Sequence, residues 1–262
     1  PHRQAPCPRG PPWRGTLSAV SVRYDCAVAA PRSRGIGQAV QVARSGDLVV
    51  FPTDTVYGVA CDAFDARGYA SLLRVKGVAA PSSSAARRGP SPVMIAHASS
   101  LTGIARGVST ELRALADGFW PGALTLVVHA QATLRWDLNP TIAVRAPLHP
   151  VALEVLERVG PMCVLTASAP GGSPPLTCAD AQQQLGEEVD VYLDAGPVGP
   201  AAAGERTPAA LTSTVVDATG ERMRVVRTGS VGLDELRRIV PDLQAPDGDE
   251  AHHGGTTGRG KG

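Results

Sequence analysis

The chain has 262 residues, 43% of them apolar and 19% charged, with a formal net charge of +1. That is enough for one large domain or two small ones around a substantial core, and the near-neutral balance excludes a polybasic nucleic-acid binder, so any anion site must be local. Five cysteines, Cys7, Cys26, Cys61, Cys163 and Cys178, are widely spaced with no Cys-x-x-Cys pair, which argues against a disulfide framework or a structural zinc site and fits a reducing compartment.

Residues 1–22 hold five prolines and several arginines without periodicity and read as a disordered leader. They lack the apolar segment of a signal peptide, and no run of about 18 apolar residues occurs anywhere, so a soluble, cytoplasmic protein is expected, with no membrane contact. From Ser33 a helix is predicted, with Ile36, Val40 and Ala43 on one face and Gly46 as its stop. The Gly35-x-Gly37 pair precedes a strand instead of following one and lacks a third glycine, so it is not a dinucleotide loop.

Leu48–Phe51 has the length and β-branched content of a short buried strand, which Pro52 ends because it offers no ladder N–H. Thr53, Asp54, Thr55 and Tyr57 follow at once. Alone, Pro-Thr-Asp-Thr reads equally as a turn whose side chains bond nearby backbone or as a ligand site at the C-terminal end of a strand. A second helix is predicted over Asp65–Lys76, where a terminal lysine ordinarily complements the helix dipole. Gly77–Ser91 is a low-complexity Ala/Ser/Pro stretch containing Arg87 and Arg88; a lid and a degraded segment remain equal readings.

A strand over Val93–Ala96 precedes His97, and a helix over Thr110–Phe119 is broken by Trp120-Pro-Gly, with Trp120 a core anchor. Strands are expected at Ala123–Val128 and Thr141–Arg145. The latter ends in a guanidinium suited to a two-pronged carboxylate grip. A helix over His149–Arg158 leads to a strand at Met162–Leu165, which enters Thr166-Ala-Ser-Ala-Pro-Gly-Gly. A helix over Cys178–Gly186, a strand at Val189–Leu193, a turn at Asp194 and a loop at 200–209 come next. Ser213–Asp217 and Met223–Arg227 read as a hairpin, Val231–Val240 as the last helix, and 244–262 as a disordered tail in which His252-His253 is a solvated pair.

Phe51-Pro-Thr-Asp-Thr-Val-Tyr-Gly58 resembles the P-T-[DE]-T-x-Y-G signature of the YrdC/Sua5 family, the threonylcarbamoyl-AMP synthases. Trp120-Pro-Gly-Ala-Leu-Thr125, Thr141-Ile-Ala-Val-Arg145, Ser213-Thr-Val-Val-Asp217 and Arg227-Thr-Gly229 resemble further family segments, collinear over roughly residues 33 to 240. The resemblance implies an α/β fold of the short, single-domain kind: one YrdC-like domain over 23–243, with a twisted, mixed, open sheet flanked by helices and a concave ligand-binding face. It implies condensation of L-threonine, bicarbonate or CO2, and ATP into threonylcarbamoyl-AMP and pyrophosphate. Mg2+ would accompany ATP, and a downstream tRNA threonylcarbamoyltransferase would consume the product to modify a tRNA adenosine at position 37; weak tRNA or RNA binding would accompany that role.

By the same resemblance Thr53, Tyr57, His97, Arg145 and Ser213 would hold threonine, and Lys76, Arg87, Arg88, Thr141, Thr166, Ser168 and Arg227 would hold ATP, with Lys76 and Arg145 essential for turnover. The sequence departs from the family at two places. Val78 stands where the arginine of a Lys-x-Arg motif is expected, and the asparagine of a Ser-x-Asn motif is missing, with Ala167 and Ala169, or Thr166 and Ser168, at those positions. There is no Walker loop. Two alternatives stay open: a carbamoyl-adenylate enzyme of another pathway, and a non-catalytic member that binds nucleotide or RNA.

Overall fold

Short runs of Val, Ile, Leu and Thr bounded by Pro, Gly and Asp cannot form long helices, and they assemble instead into one sheet. The computed structural model describes residues 21–78, 89–134, 140–199 and 212–246. Its strands are β1 (Val22–Asp25), β2 (Val49–Pro52), β3 (Tyr57–Asp62), β4 (Ser91–Met94), β5 (Ala105–Arg106), β6 (Leu124–Ala130), β7 (Thr141–Arg145), β8 (Met162–Thr166), β9 (Val191–Asp194), β10 (Thr214–Asp217) and β11 (Arg224–Arg227). The helices are α1 (Ala29–Arg44), α2 (Ala66–Val75), α3 (Leu101–Ile104), α4 (Thr110–Phe119), α5 (Pro150–Val159), α6 (Cys178–Leu185) and α7 (Leu233–Arg237).

The strands join in the order β1-β9-β2-β3-β8-β4-β7-β6-β10-β11, with β5 paired to β6 off that path. β1/β9, β9/β2, β4/β7 and β6/β10 are parallel and the other ladders antiparallel. The sheet is therefore mixed, as expected.

Because side chains alternate across a strand, each strand feeds two cores. Val50, Val59, Cys61, Val93, Leu126, Val144 and Val216 face α2, α4, α6 and α7. Val49, Phe51, Ala60, Val164 and Val191 face α1 and α5. Those two helices pack over β1, β9, β2 and β3. Further along the same face, across β4, β7, β6 and β10, Met94, Ala143, Arg145, Thr125, Val127 and Val215 line an open cavity instead.

Several boundaries differ from expectation for physical reasons. β3 was not expected: Gly58 and Ala60 dilute its strand signal, yet it pairs antiparallel with β2, Pro52 lying opposite Tyr57 as the last pair of the ladder. Helix α1 begins at Ala29, ahead of Ser33, since Pro31 falls in the first turn, where no N–H is needed. The last helix is only Leu233–Arg237. Val22, expected to end the leader, opens β1. Residues 1–20 of the leader, most of 77–91 including Arg87 and Arg88, the loop at 200–209 and nearly all of the tail lie outside the described residues. Among the described residues no helix is long and apolar enough to cross a membrane.

Candidate active site

The β2–β3 connection is a hairpin loop held by its own threonine. Thr53 Oγ1 donates to the Val56 carbonyl at 2.6 Å and accepts the N–H groups of Thr55 and Val56, both at 3.2 Å. The turn reading of Pro-Thr-Asp-Thr holds, and the same tight loop presents the Thr55 hydroxyl to a guanidinium beside a cavity. Arg145, at the end of β7, donates from Nη1 to Thr55 Oγ1 at 3.2 Å, from Nη2 to Asp54 Oδ2 at 2.5 Å, and from Nε to the Gly122 carbonyl at 2.9 Å. Its side chain is only 7% exposed, so the charge is held largely out of water.

Across the cavity a second cluster forms at the β10–β11 end. Ser213 Oγ lies 2.7 Å from Thr125 Oγ1 and accepts from Arg227 Nη2 at 3.0 Å. Arg227 also donates from Nε and Nη2 to the Ser213 carbonyl, at 3.2 and 3.1 Å. Gly229 permits that approach, since a Cβ there would stand 2.4 Å from the Thr212 carbonyl oxygen. Burial, and then the nearby charge of Arg145, pull the Arg227 guanidinium below its ordinary value. The charge of Arg145 thus disfavours that of Arg227, and an anion beside Arg227 would offset it.

Lys76, the C-cap of α2, turns its ammonium onto the strand-to-loop segment after β8. Nζ donates to the carbonyls of Thr166 at 2.9 Å and Ser168 at 2.5 Å, and to Ser168 Oγ at 3.1 Å. Burial lowers its pKa. An ammonium has three N–H donors, so Lys76 here fixes the shape of the loop and reaches a ligand only by exchanging one of these partners.

Thr53, Thr55, Gly58, Thr125, Arg145, Thr166, Ser213 and Arg227 all border one cavity of about 410 Å³, whose floor is Val127, Ala143, Val164 and Val215. Gly58 keeps that floor open beside β8, because a Cβ would stand 2.6 Å from Val164 Cγ1. A space of this size with apolar walls and two converging guanidiniums suits a small molecule carrying carboxylate or phosphate groups.

Of the residues expected to bind, Thr53, Arg145, Thr166, Ser213 and Arg227 line the cavity, and Lys76 and Ser168 stand behind Thr166. Three do not reach it. Gly58 faces the cavity, so alternation sends Tyr57 to the opposite core; it is fully buried, its hydroxyl donating to the Gly196 carbonyl at 2.6 Å and accepting the Ala195 N–H at 3.1 Å. Tyr57 as a threonine contact is thereby corrected.

His97 falls past β4, beside Glu157 Oε1 at 3.6 Å with its side chain 62% exposed, in a separate hollow with Ile95 and Leu156. Its placement at the substrate is corrected likewise. Thr141 shares the face of Ala143 and Arg145 but opposes His129 one step beyond the lining. Thr55, part of the Pro-Thr-Asp-Thr set, lines the cavity without having been assigned a ligand, and Thr125 lines it without having been singled out; the period-two pattern Thr125-Leu-Val127 carries the signal for Thr125.

The family model for Sua5, YciO and YrdC proteins, described as "Telomere recombination", matches residues 41–229. A Mycobacterium tuberculosis protein provisionally named threonylcarbamoyl-AMP synthase is 42% identical over 220 residues, covering 83% of this chain and 94% of that protein. The Pyrococcus abyssi threonylcarbamoyl-AMP synthase is 28% identical over 205 residues, 77% of this chain and 56% of that one. Among solved structures, P. abyssi Sua5 complexed with L-threonine superposes with a TM-score of 0.71 at 25% identity, over 86% of this chain and 62% of that one. Escherichia coli YciO shares the fold, with a TM-score of 0.63 at 23% identity, over 83% of this chain and 98% of that one.

Proposed function

This chain belongs to the Sua5/YciO/YrdC family, and from that premise we propose that it is a threonylcarbamoyl-AMP synthase, joining L-threonine, bicarbonate or CO2, and ATP into threonylcarbamoyl-AMP and pyrophosphate. The observation that carries the reading is the convergence of Arg145, Arg227, Ser213 and the threonine-rich hairpin loop, from distant parts of the chain, on one cavity. In this reading Arg145 takes the carboxylate of threonine in a two-pronged grip. Thr55, Thr125 and Ser213 offer hydroxyls to the rest of the amino acid. Arg227 faces the phosphates, and Lys76 joins it by releasing Ser168 Oγ.

The chemistry then balances simply. The threonine amine adds to CO2 and loses a proton, giving a carbamate. A carbamate oxygen attacks the α-phosphorus of ATP, the bond from the α-phosphorus to the bridging oxygen breaks, and pyrophosphate leaves with that oxygen. The side chains here position reactants and offset charge growing on phosphate, work that needs no protein nucleophile. Mg2+ would arrive bound to ATP oxygens, as a hard cation suited to phosphate ligands. The product is a reactive mixed anhydride, so a transferase acting on a tRNA adenosine is the fitting consumer, in the cytoplasm.

Pyrophosphate release from purified protein with ATP, bicarbonate and threonine, leaving out each in turn, tests the reaction. Release should require all three. Release without threonine removes the proposal, and so does ATP binding with no release under any combination.

A further inference from the structure

We infer that Asp54 is the positioning residue for Arg145, locking the guanidinium in the orientation in which it receives a carboxylate; the identity of that carboxylate as threonine's rests on the function proposed above. A guanidinium carries five N–H donors in a rigid fork. In Arg145 the Nε donor goes to Gly122, one Nη1 donor to Thr55 and one Nη2 donor to Asp54. These three bonds use three of the five donors, so each terminal nitrogen keeps one N–H that can be offered to a carboxylate.

Asp54 does not line the cavity, so it acts through the arginine. Its other oxygen, Oδ1, accepts the Leu148 N–H at 3.0 Å, so one carboxylate ties the hairpin loop to the segment following β7 and to the arginine that ends it. Side-chain exposures of 7% and 17% for Arg145 and Asp54 place this pair where a lost partner is not readily replaced by water.

Asp54→Asn isolates the effect. The amide oxygen satisfies either Leu148 or Arg145, and the amide nitrogen then confronts the other donor, while volume hardly changes. Two measurements are made on the full chain: the rate at which phenylglyoxal labels Arg145, relative to Arg227 as internal reference in peptide maps, and the dissociation constants for threonine and ATP by calorimetry. The variant should label Arg145 about tenfold faster and bind threonine about tenfold more weakly, with ATP affinity unchanged.

Asp54→Glu, which restores a carboxylate, should return both readouts toward the parent. Thr55→Val, which removes the second acceptor and leaves Leu148 alone, should speed the labelling of Arg145 should the first variant fold poorly; only labelling is read there, because Thr55 itself lines the cavity. Labelling of Arg145 that is unaltered in Asp54→Asn overturns the inference. So does a joint fall of threonine affinity, ATP affinity and melting temperature, the mark of a merely structural role. If the parent protein binds no threonine while labelling still responds to Asp54→Asn, the proposed substrate fails and the positioning role stands.

Discussion

At the scale of single residues, the site depends on which side of a strand a side chain faces. Tyr57 and Gly58 are neighbours in the family signature, yet only the glycine touches the cavity, and the tyrosine pins the turn after β9 through Gly196 and Ala195. Tyr57→Phe should therefore cost stability and spare substrate affinity. Losing a buried hydroxyl that both donates and accepts amounts to roughly 1–3 kcal/mol, readable as a drop of several degrees in melting temperature. The KM for threonine should stay within twofold or so of the parent, and a large rise there would return Tyr57 to the substrate. His97→Ala should change neither quantity, because its imidazole is largely exposed beside Glu157, away from the cavity.

Arg145 was legible from the residues themselves, as a cation that ends an apolar strand, whereas Ser213, just before β10, and Arg227, at the end of β11, were placed by the family resemblance. The misplaced ones, His97 and Tyr57, required strand register to one residue, and a slip of one exchanges the faces.

At the scale of elements, most helices and strands follow from caps and breakers: Asp65 caps α2 and Thr177 caps α6, as their N-terminal N–H bonds attest. β3 escaped because Gly58, which borders the cavity, and Ala60, which packs under α1 and α5, both weaken its strand signal. Helix α5 shows how a cap acquires pH dependence. His149 sits at its N-cap, with Nδ1 accepting the Val151 N–H at 3.3 Å, which requires the neutral ring. Burial lowers its pKa below the ordinary 6.5; Asp54 opposes that shift and Arg32 adds to it.

A base whose folded pKa is depressed binds protons better when unfolded, so its contribution is complete above 6.5 and is lost as pH falls through the folded value. Melting temperature should therefore decline on acidification below that point. His149→Asn supplies a cap that does not titrate and should flatten this decline. An identical slope in both proteins would mean that another group sets it.

At the scale of the whole molecule, the edge strand and the cavity are parts of one connected structure. β1 closes one edge of the sheet by pairing with β9, and Arg23 reaches Asp194 at 2.5 Å. The same carboxylate accepts the Gly196 N–H at 2.9 Å and lies 3.4 Å from the Tyr57 hydroxyl, so the edge is tied to the residue preceding Gly58. Burial pushes the Asp194 carboxyl up, but the bonds from Gly196, Arg23 and Tyr57 outweigh it and leave the pKa below the ordinary 3.8.

An acid with a depressed folded pKa stabilises the fold above its unfolded value and loses that contribution as pH falls through the folded one. Removing residues 1–26 deletes Arg23 and uncovers the β9 edge, an open ladder prone to pairing with other chains. The shortened protein should melt about 5 °C lower or more, begin acid unfolding at a higher pH than the parent, and self-associate on concentration. Pyrophosphate release at low temperature should persist, because Thr53, Arg145, Ser213 and Arg227 come from elements further along the sheet. A melting temperature and acid midpoint that both stay put would show that β1 lies on the sheet without supporting it, and the link from edge to cavity through Asp194 and Tyr57 would then carry no energy.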